Sequence, residues 1–144
     1  MTADDFSCLM QAQRSIRQYR DTSVDEALVD RVLTEALAGS SSSGNLNMVS
    51  VIKTFDAARK ARLCELHFDQ PMVLQVPLAL TFCADSHRTR RWLSQREARP
   101  GFADFISWHV SSFDAIILAQ TTAGNRIFKR HVFGSTGTDS TARG

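Results

Sequence analysis

The chain has 144 residues, of which 43% are hydrophobic and 22% charged, with a formal net charge of +2. That length and balance suit one ordinary globular domain with enough apolar material for a core. So small a charge does not by itself imply a nucleic-acid partner, and local arginine clusters must carry any anion-binding function.

No apolar run reaches the length of a membrane span, and no basic-then-apolar leader opens the sequence. The expected location is therefore the cytoplasm, with no membrane partner. Cys8, Cys64 and Cys83 are odd in number and lack a Cys-x-x-Cys spacing. They read as reduced thiols rather than a disulfide framework.

Phe6, Leu9, Met10 and Gln13 recur at helical spacing and predict a short amphipathic helix. The segment Arg14–Arg20 follows as its end or as an exposed turn. Ser23 and Glu26 form a capping-box pattern, in which Ser23 accepts from the Glu26 amide while Glu26 reaches back. Leu28, Val32, Leu33 and Ala36 then predict an apolar stripe on a helix that stops at Gly39. Met48 to Phe55 predicts a strand with Val49 and Val51 on one face and Ser50 and Ile52 on the other. Asp56 is placed to cap a helix running to about Phe68. Pro71 and Pro77 frame a second strand, Leu78 to Cys83.

Residues 86–97 predict a very polar helix, and Pro100-Gly101 breaks the chain. Ala103 to about Thr122 predicts a long helix with Phe105, Trp108, Ser112, Ile116 and Ala119 roughly on one stripe. Strands separated by helices rather than tight hairpins argue for α+β or α/β with a sheet in the middle. No internal repeat is present. From Gly134 to Gly144 the chain is rich in Gly, Ser and Thr without periodicity. The expected division is a domain over residues 1–123 and a divergent, flexible tail over 124–144.

Two constellations bear on chemistry. Arg14 and Arg17 are three apart and share a face on a helical turn, with Ser15 between them. Guanidinium forks and a hydroxyl suit phosphate oxygens, although an isolated motif of this kind reads first as a solvated basic face. The second is Ser40-Ser41-Ser42-Ser43-Gly44-Asn45-Leu46-Asn47. Gly39 and Gly44 have the spacing of a phosphate-binding P-loop, but Asn45-Leu46 stands where Lys-Ser/Thr is required. The loop also leaves a helix and enters a strand, the reverse of a P-loop, so a nucleotide triphosphatase is rejected. If the strand begins early, Asn45 and Asn47 project to the same side. Their amides then suit a heterocycle edge or a ribityl chain. The bland alternative is a flexible surface linker.

Other chemistry finds little support. His87-Arg88-Thr89-Arg90-Arg91-Trp92 reads as an exposed helix face before it reads as a nucleic-acid contact. Cys64 and His67 are a lone pair of metal-ligand types, with no second pair, no His-Glu-x-x-His and no EF-hand loop. No metal is expected. A Gly-x-Ser-x-Gly elbow is absent, and no catalytic side chain is identified.

Taken in order, these pieces resemble the nitroreductase family of FMN-dependent oxidoreductases. The carriers are Gln13-Arg14-Ser15-Ile16-Arg17, then Ser23-Val24, then the loop Ser41 to Asn47. A strand, a helix and a second strand ending in Ala84-Asp85 follow, and Asp114 to Gln120 looks like the family's central helix. The resemblance covers about Phe6 to Ala123. It implies an α+β fold with a central sheet flanked by helices, and an intertwined homodimer holding FMN at the subunit interface. Arg14, Ser15 and Arg17 would grip the FMN phosphate and ribityl chain, and Ser42, Ser43, Asn45 and Asn47 would line the flavin from the other side. NAD(P)H would supply electrons for a nitro, quinone or related small-molecule acceptor. No side-chain acid or nucleophile need then be visible, because the cofactor carries the chemistry.

Gln13, Ser41 and Asn47 depart from the Arg, Pro and Gln usual in the family, and Met48-Val49 from the common Pro-Trp. After Ala123 the sequence diverges from the family's small-residue stretch and further sheet, which reads as a chain lacking the family's C-terminal part. The alternative functional reading is a flavin- or nucleotide-binding module without turnover, or a degenerate family member. A small nucleic-acid-binding domain using Arg88–Arg91 and Arg126–Arg130 is the remaining rival.

Overall fold

The computed structural model describes residues 3–11, 15, 17, 19, 22–40, 42–99, 101 and 105–125. The elements in chain order are α1 (Ala3–Gln11), α2 (Glu26–Gly39), β1 (Val49–Thr54), α3 (Ala57–Leu66), α4 (Met72–Gln75), β2 (Ala79–Ala84), α5 (Ser86–Ser94) and α6 (Phe105–Gly124). A single 3-10 turn, Ser43–Asn45, lies between α2 and β1. The expected tail falls outside the described residues beyond Asn125.

Helix α2 begins later than its capping-box pattern predicts. Asp25, in extended conformation, is the N-cap, and its carboxylate accepts from the Ala27 amide at 3.0 Å. Glu26 is already the first helical residue, so it cannot reach back to cap. Its carboxylate instead accepts from Lys53 of β1 at 2.7 Å, beside Asp30 at the same distance. Those two hydrogen bonds, Asp30's first, hold the Lys53 ammonium above its usual pKa. Val29, Val32 and Ala36 recur at helical spacing and face inward.

β1 and β2 pair antiparallel, with Val49 opposite Ala84 and Thr54 opposite Ala79. Antiparallel pairing of consecutive strands joined through helices settles the fold as α+β. The alternation follows the sequence: Val49 is buried and Val51 packs on the core, while Ile52 on the other face is exposed. Ala36, Val49, Ala115 and Leu118 form the core, with Val51 and Phe82 packed against it. Helix α6 thus lies across both strands, and α2 lies against α6. A two-stranded ribbon is marginal by itself, and this helical cover is what stabilises it.

Between the strands, Asp56 caps α3 by accepting from the Arg59 amide at 2.8 Å, as its position predicts. Phe68 and Asp69 then take left-handed conformations, and Lys60 donates to the Val76 carbonyl at 2.9 Å.

Helix α6 does not turn its predicted stripe inward. Phe105, Trp108 and Ile116 are 68%, 58% and 64% exposed, whereas Ser107, Ser111, Asp114, Ala115, Leu118 and Thr122 are buried. The helix is apolar around most of its circumference, so periodicity could not choose the face. Two of its inward hydroxyls bond within the helix. Ser111 donates to the Trp108 carbonyl at 2.9 Å and Thr122 to the Leu118 carbonyl at 2.8 Å. Small residues there let the helix approach the sheet closely. Among the described residues, no helix is long and apolar enough to cross a membrane.

Candidate functional site: the loop between α2 and β1

The turn from α2 into β1 is built from residues that tolerate left-handed backbone. Gly44, Asn45 and Asn47 have φ of 61°, 56° and 47°. Glycine has no Cβ to clash there, and asparagine is among the side chains that visit this region most readily. The turn closes where the Asn45 amide donates to the Ser42 carbonyl at 3.1 Å.

Side chains from two other elements fix it. The Ser42 hydroxyl donates to Asp114 Oδ2 of α6 at 2.9 Å and accepts from the Asn47 amide at 2.8 Å. The same carboxylate oxygen accepts from the buried Met48 amide at 2.8 Å. From the opposite side, Arg88 of α5 donates to the Asn47 carbonyl. Asp85, the N-cap of α5, accepts from the Arg88 amide at 3.0 Å and from the Ser50 hydroxyl at 2.5 Å. Its own amide donates to the Met48 carbonyl at 2.9 Å. The Ser50 hydroxyl first, and the Arg88 amide second, hold the Asp85 carboxyl below the usual carboxylate range.

The residues singled out from sequence fall as follows. Arg14 lies outside the described residues. Ser15 and Arg17 are exposed, and among the described residues no hydrogen bond ties either to the loop. Two residues on, Tyr19 lines a cleft of about 530 Å³ together with Ala79–Phe82 of β2 and Ala119 and Ala123 of α6. That is away from the Val49–Ala84 end of the sheet, where the loop enters. Ser42 is half-buried, and its one hydroxyl proton is committed to Asp114. Ser43 contributes the first residue of the 3-10 turn.

The strand does not begin early enough to align Asn45 with Asn47. Both precede it in the left-handed turn, and the Asn47 side-chain amide Nδ2 donates to Asn45 Oδ1 at 3.1 Å. Asn47 also lines a second cleft, of about 460 Å³, with Ser50, Arg88, Thr34 and Asp30.

Sequence reasoning missed Asp114 and the loop-holding role of Arg88. The signal for Asp114 was present, since it is the sole Asp, Glu, Lys or Arg in the 20 residues of α6. A lone charge inside an apolar helix asks for a partner. Nothing local marks Arg88 among its neighbouring arginines. Among the described residues, no three His, Cys, Asp or Glu side chains are gathered as a metal site would need.

No protein-family model matches the chain. A solved structure of NfrA2 from B. megaterium superposes with a TM-score of 0.76 at 33% identity, covering 82% of this chain and 48% of that one. The NfrA1 nitroreductase of B. subtilis superposes over 82% of this chain and 48% of that one, at TM-score 0.75 and 24% identity. This chain has a nitroreductase-like fold. A curated relative, the "FMN reductase [NAD(P)H]" of Bacillus subtilis (strain 168), is 40% identical over 77 residues. Those residues are 54% of this nitroreductase-like chain and 30% of that protein. The chain thus spans about half the length of the structures it matches.

Proposed function

We propose that this chain binds FMN and takes part in passing electrons from NAD(P)H to a nitro, quinone or related small-molecule acceptor. The supporting observation is the 40% identity over 77 residues to a protein named FMN reductase [NAD(P)H], in a chain whose hydroxyl-and-amide loop is already held in shape. FMN, when bound, supplies hydride acceptance and release, so the protein's task is to bind and orient it.

The residue types fit such a ligand. Arg14, Arg17 and Ser15 offer guanidinium forks and a hydroxyl for the phosphate. Asn45 and Asn47 offer amides for a heterocycle edge. Tyr19, just beyond the arginine segment, lies by β2 and the end of α6, away from the loop. We therefore favour a site shared between two copies, one giving the arginine segment and the other the loop. The exposed aromatic face of α6 supports such a homodimer. Phe105 lies 5.4 Å from Trp108, and His109 lies 4.6 Å edge-on to Phe113, measured between ring centroids. A cytoplasmic location, and a division into a domain over 1–123 and a tail over 124–144, belong to the same proposal.

The one second reading is a flavin-binding module without turnover. An absorbance spectrum of the purified protein with FMN, followed by NAD(P)H oxidation with a quinone or nitroaromatic acceptor, separates the two. Yellow protein with turnover supports the oxidoreductase, and yellow protein without it supports the module. Replacing Arg14 and Arg17 together by alanine should weaken FMN binding by at least about 1–3 kcal/mol, the scale of charge-assisted contacts. Unchanged affinity in that double variant would remove the phosphate site.

A further inference from the structure

We infer that Asp114 is a positioning residue, which sets the ligand-facing shape of the 42–48 loop through Ser42 and Met48 and touches no ligand itself. This deepens the proposed flavin site and rests on that reading for its ligand-binding arm alone.

Asp114 is 5% exposed, and no ion pair joins it among the described residues. Burying a carboxylate without a cation is costly unless its oxygens are hydrogen-bonded. Here one oxygen, Oδ2, takes both the Ser42 hydroxyl and the Met48 amide. Ser42 passes the restraint on, because its oxygen accepts from the Asn47 amide. A relay of two hydrogen bonds therefore runs from the middle of α6 through Ser42 to Asn47, and a third ties the same oxygen to Met48. Asn47 is one of the residues the loop holds in left-handed conformation.

A loop that merely joined α2 to β1 would not need this device. An apolar residue at 114 would satisfy the packing of α6, as Leu118 does one turn later. Retaining a buried acid makes sense if the directions of the Asn45 and Asn47 amides matter. It also reassigns Ser42. Its only proton points at Asp114, so it shapes the loop instead of donating to a flavin.

The geometry makes a sharp distinction between two substitutions. In Asp114→Asn the remaining carbonyl oxygen can occupy the place of Oδ2 and accept both bonds. In Asp114→Ala neither bond survives. Backbone amide exchange, read by NMR on the FMN-free chain, should be faster at Asn47 and Met48 by about tenfold or more in D114A, the scale of one lost hydrogen bond. It should stay within about threefold of wild type in D114N. Ser42→Ala should accelerate Asn47 and leave Met48 protected, which keeps the test decisive if D114A fails to fold. FMN affinity should follow the same order, lost by about tenfold in D114A and S42A and retained in D114N.

Unchanged amide exchange in S42A and D114A would overturn the inference. So would faster exchange accompanied by unaltered flavin affinity, which would leave Asp114 a purely structural residue. If wild-type protein binds no FMN, the proposed function falls while the amide arm still judges the Asp114 network.

Discussion

Gly39 and Gly44 sit five residues apart and do different work. Gly39 reads from sequence as a helix stop, yet the helix includes it and ends through an extended Ser40. Among the described glycines only Gly44 has a positive φ. A Cβ at Gly39 would meet Thr121 Cγ2 at 3.9 Å, an ordinary contact. Gly39→Ala should therefore raise stability by about 0.4–1 kcal/mol, by reducing the freedom of the unfolded chain. Gly44→Ala should lower it by about 1–2 kcal/mol, because φ of 61° places a Cβ against the following carbonyl. Urea unfolding of both variants checks the pair, and equal effects would contradict the assigned backbone. At this scale the sequence showed which residue types were special. It did not show which of two glycines needed its freedom, because that depends on where the helix lets go.

Helix α6 is where pattern and structure part. The length and position of the helix were legible, since an apolar run after Pro100-Gly101 has few alternatives. Its inner face was not, because aromatic and aliphatic residues occupy nearly every side. Burial went to the side whose small residues allow close approach and where the Ser111 and Thr122 hydroxyls bond within the helix. Two aliphatic residues two positions apart make the difference measurable. Leu118→Ala, at 3% exposure, should cost about 2–5 kcal/mol, whereas Ile116→Ala should cost less than about 0.5 kcal/mol in dilute protein. Comparable losses at both positions would mean that the helix is rotated from the orientation described. By contrast α2 and β1 follow their sequence patterns in outline. Each has one clearly apolar side, so periodicity fixed which side turned inward.

At the level of the whole molecule, the exposed side of α6 gathers Phe105, Ile106, Trp108, Phe113 and Ile116. Exposed apolar residues grouped on one helix mark an interaction surface more often than single ones do. The ribbon of β1 and β2 adds two strand edges with no further partner strand among the described residues. The protein should sediment as a larger species as its concentration rises, and Ile116→Glu should hold it monomeric. A single concentration-independent species in both proteins would argue against the homodimer. The candidate site has the same character. Its loop is held by α5 and α6, elements 41 and 72 positions away from the residues they grip.

Residue order alone determined the main helical and strand segments and, through short motifs in sequence, the resemblance to nitroreductases with the α+β class that it implies. Those depend on local spacing, capping and turn chemistry, which neighbouring residues decide among themselves. Only the tertiary structure decided which side of α6 is buried, that Asp114 and Arg88 hold the 42–48 loop, and that Ser42 points its proton inward. Those outcomes depend on how closely distant elements can approach and on which buried polar groups find partners, and no local pattern encodes either.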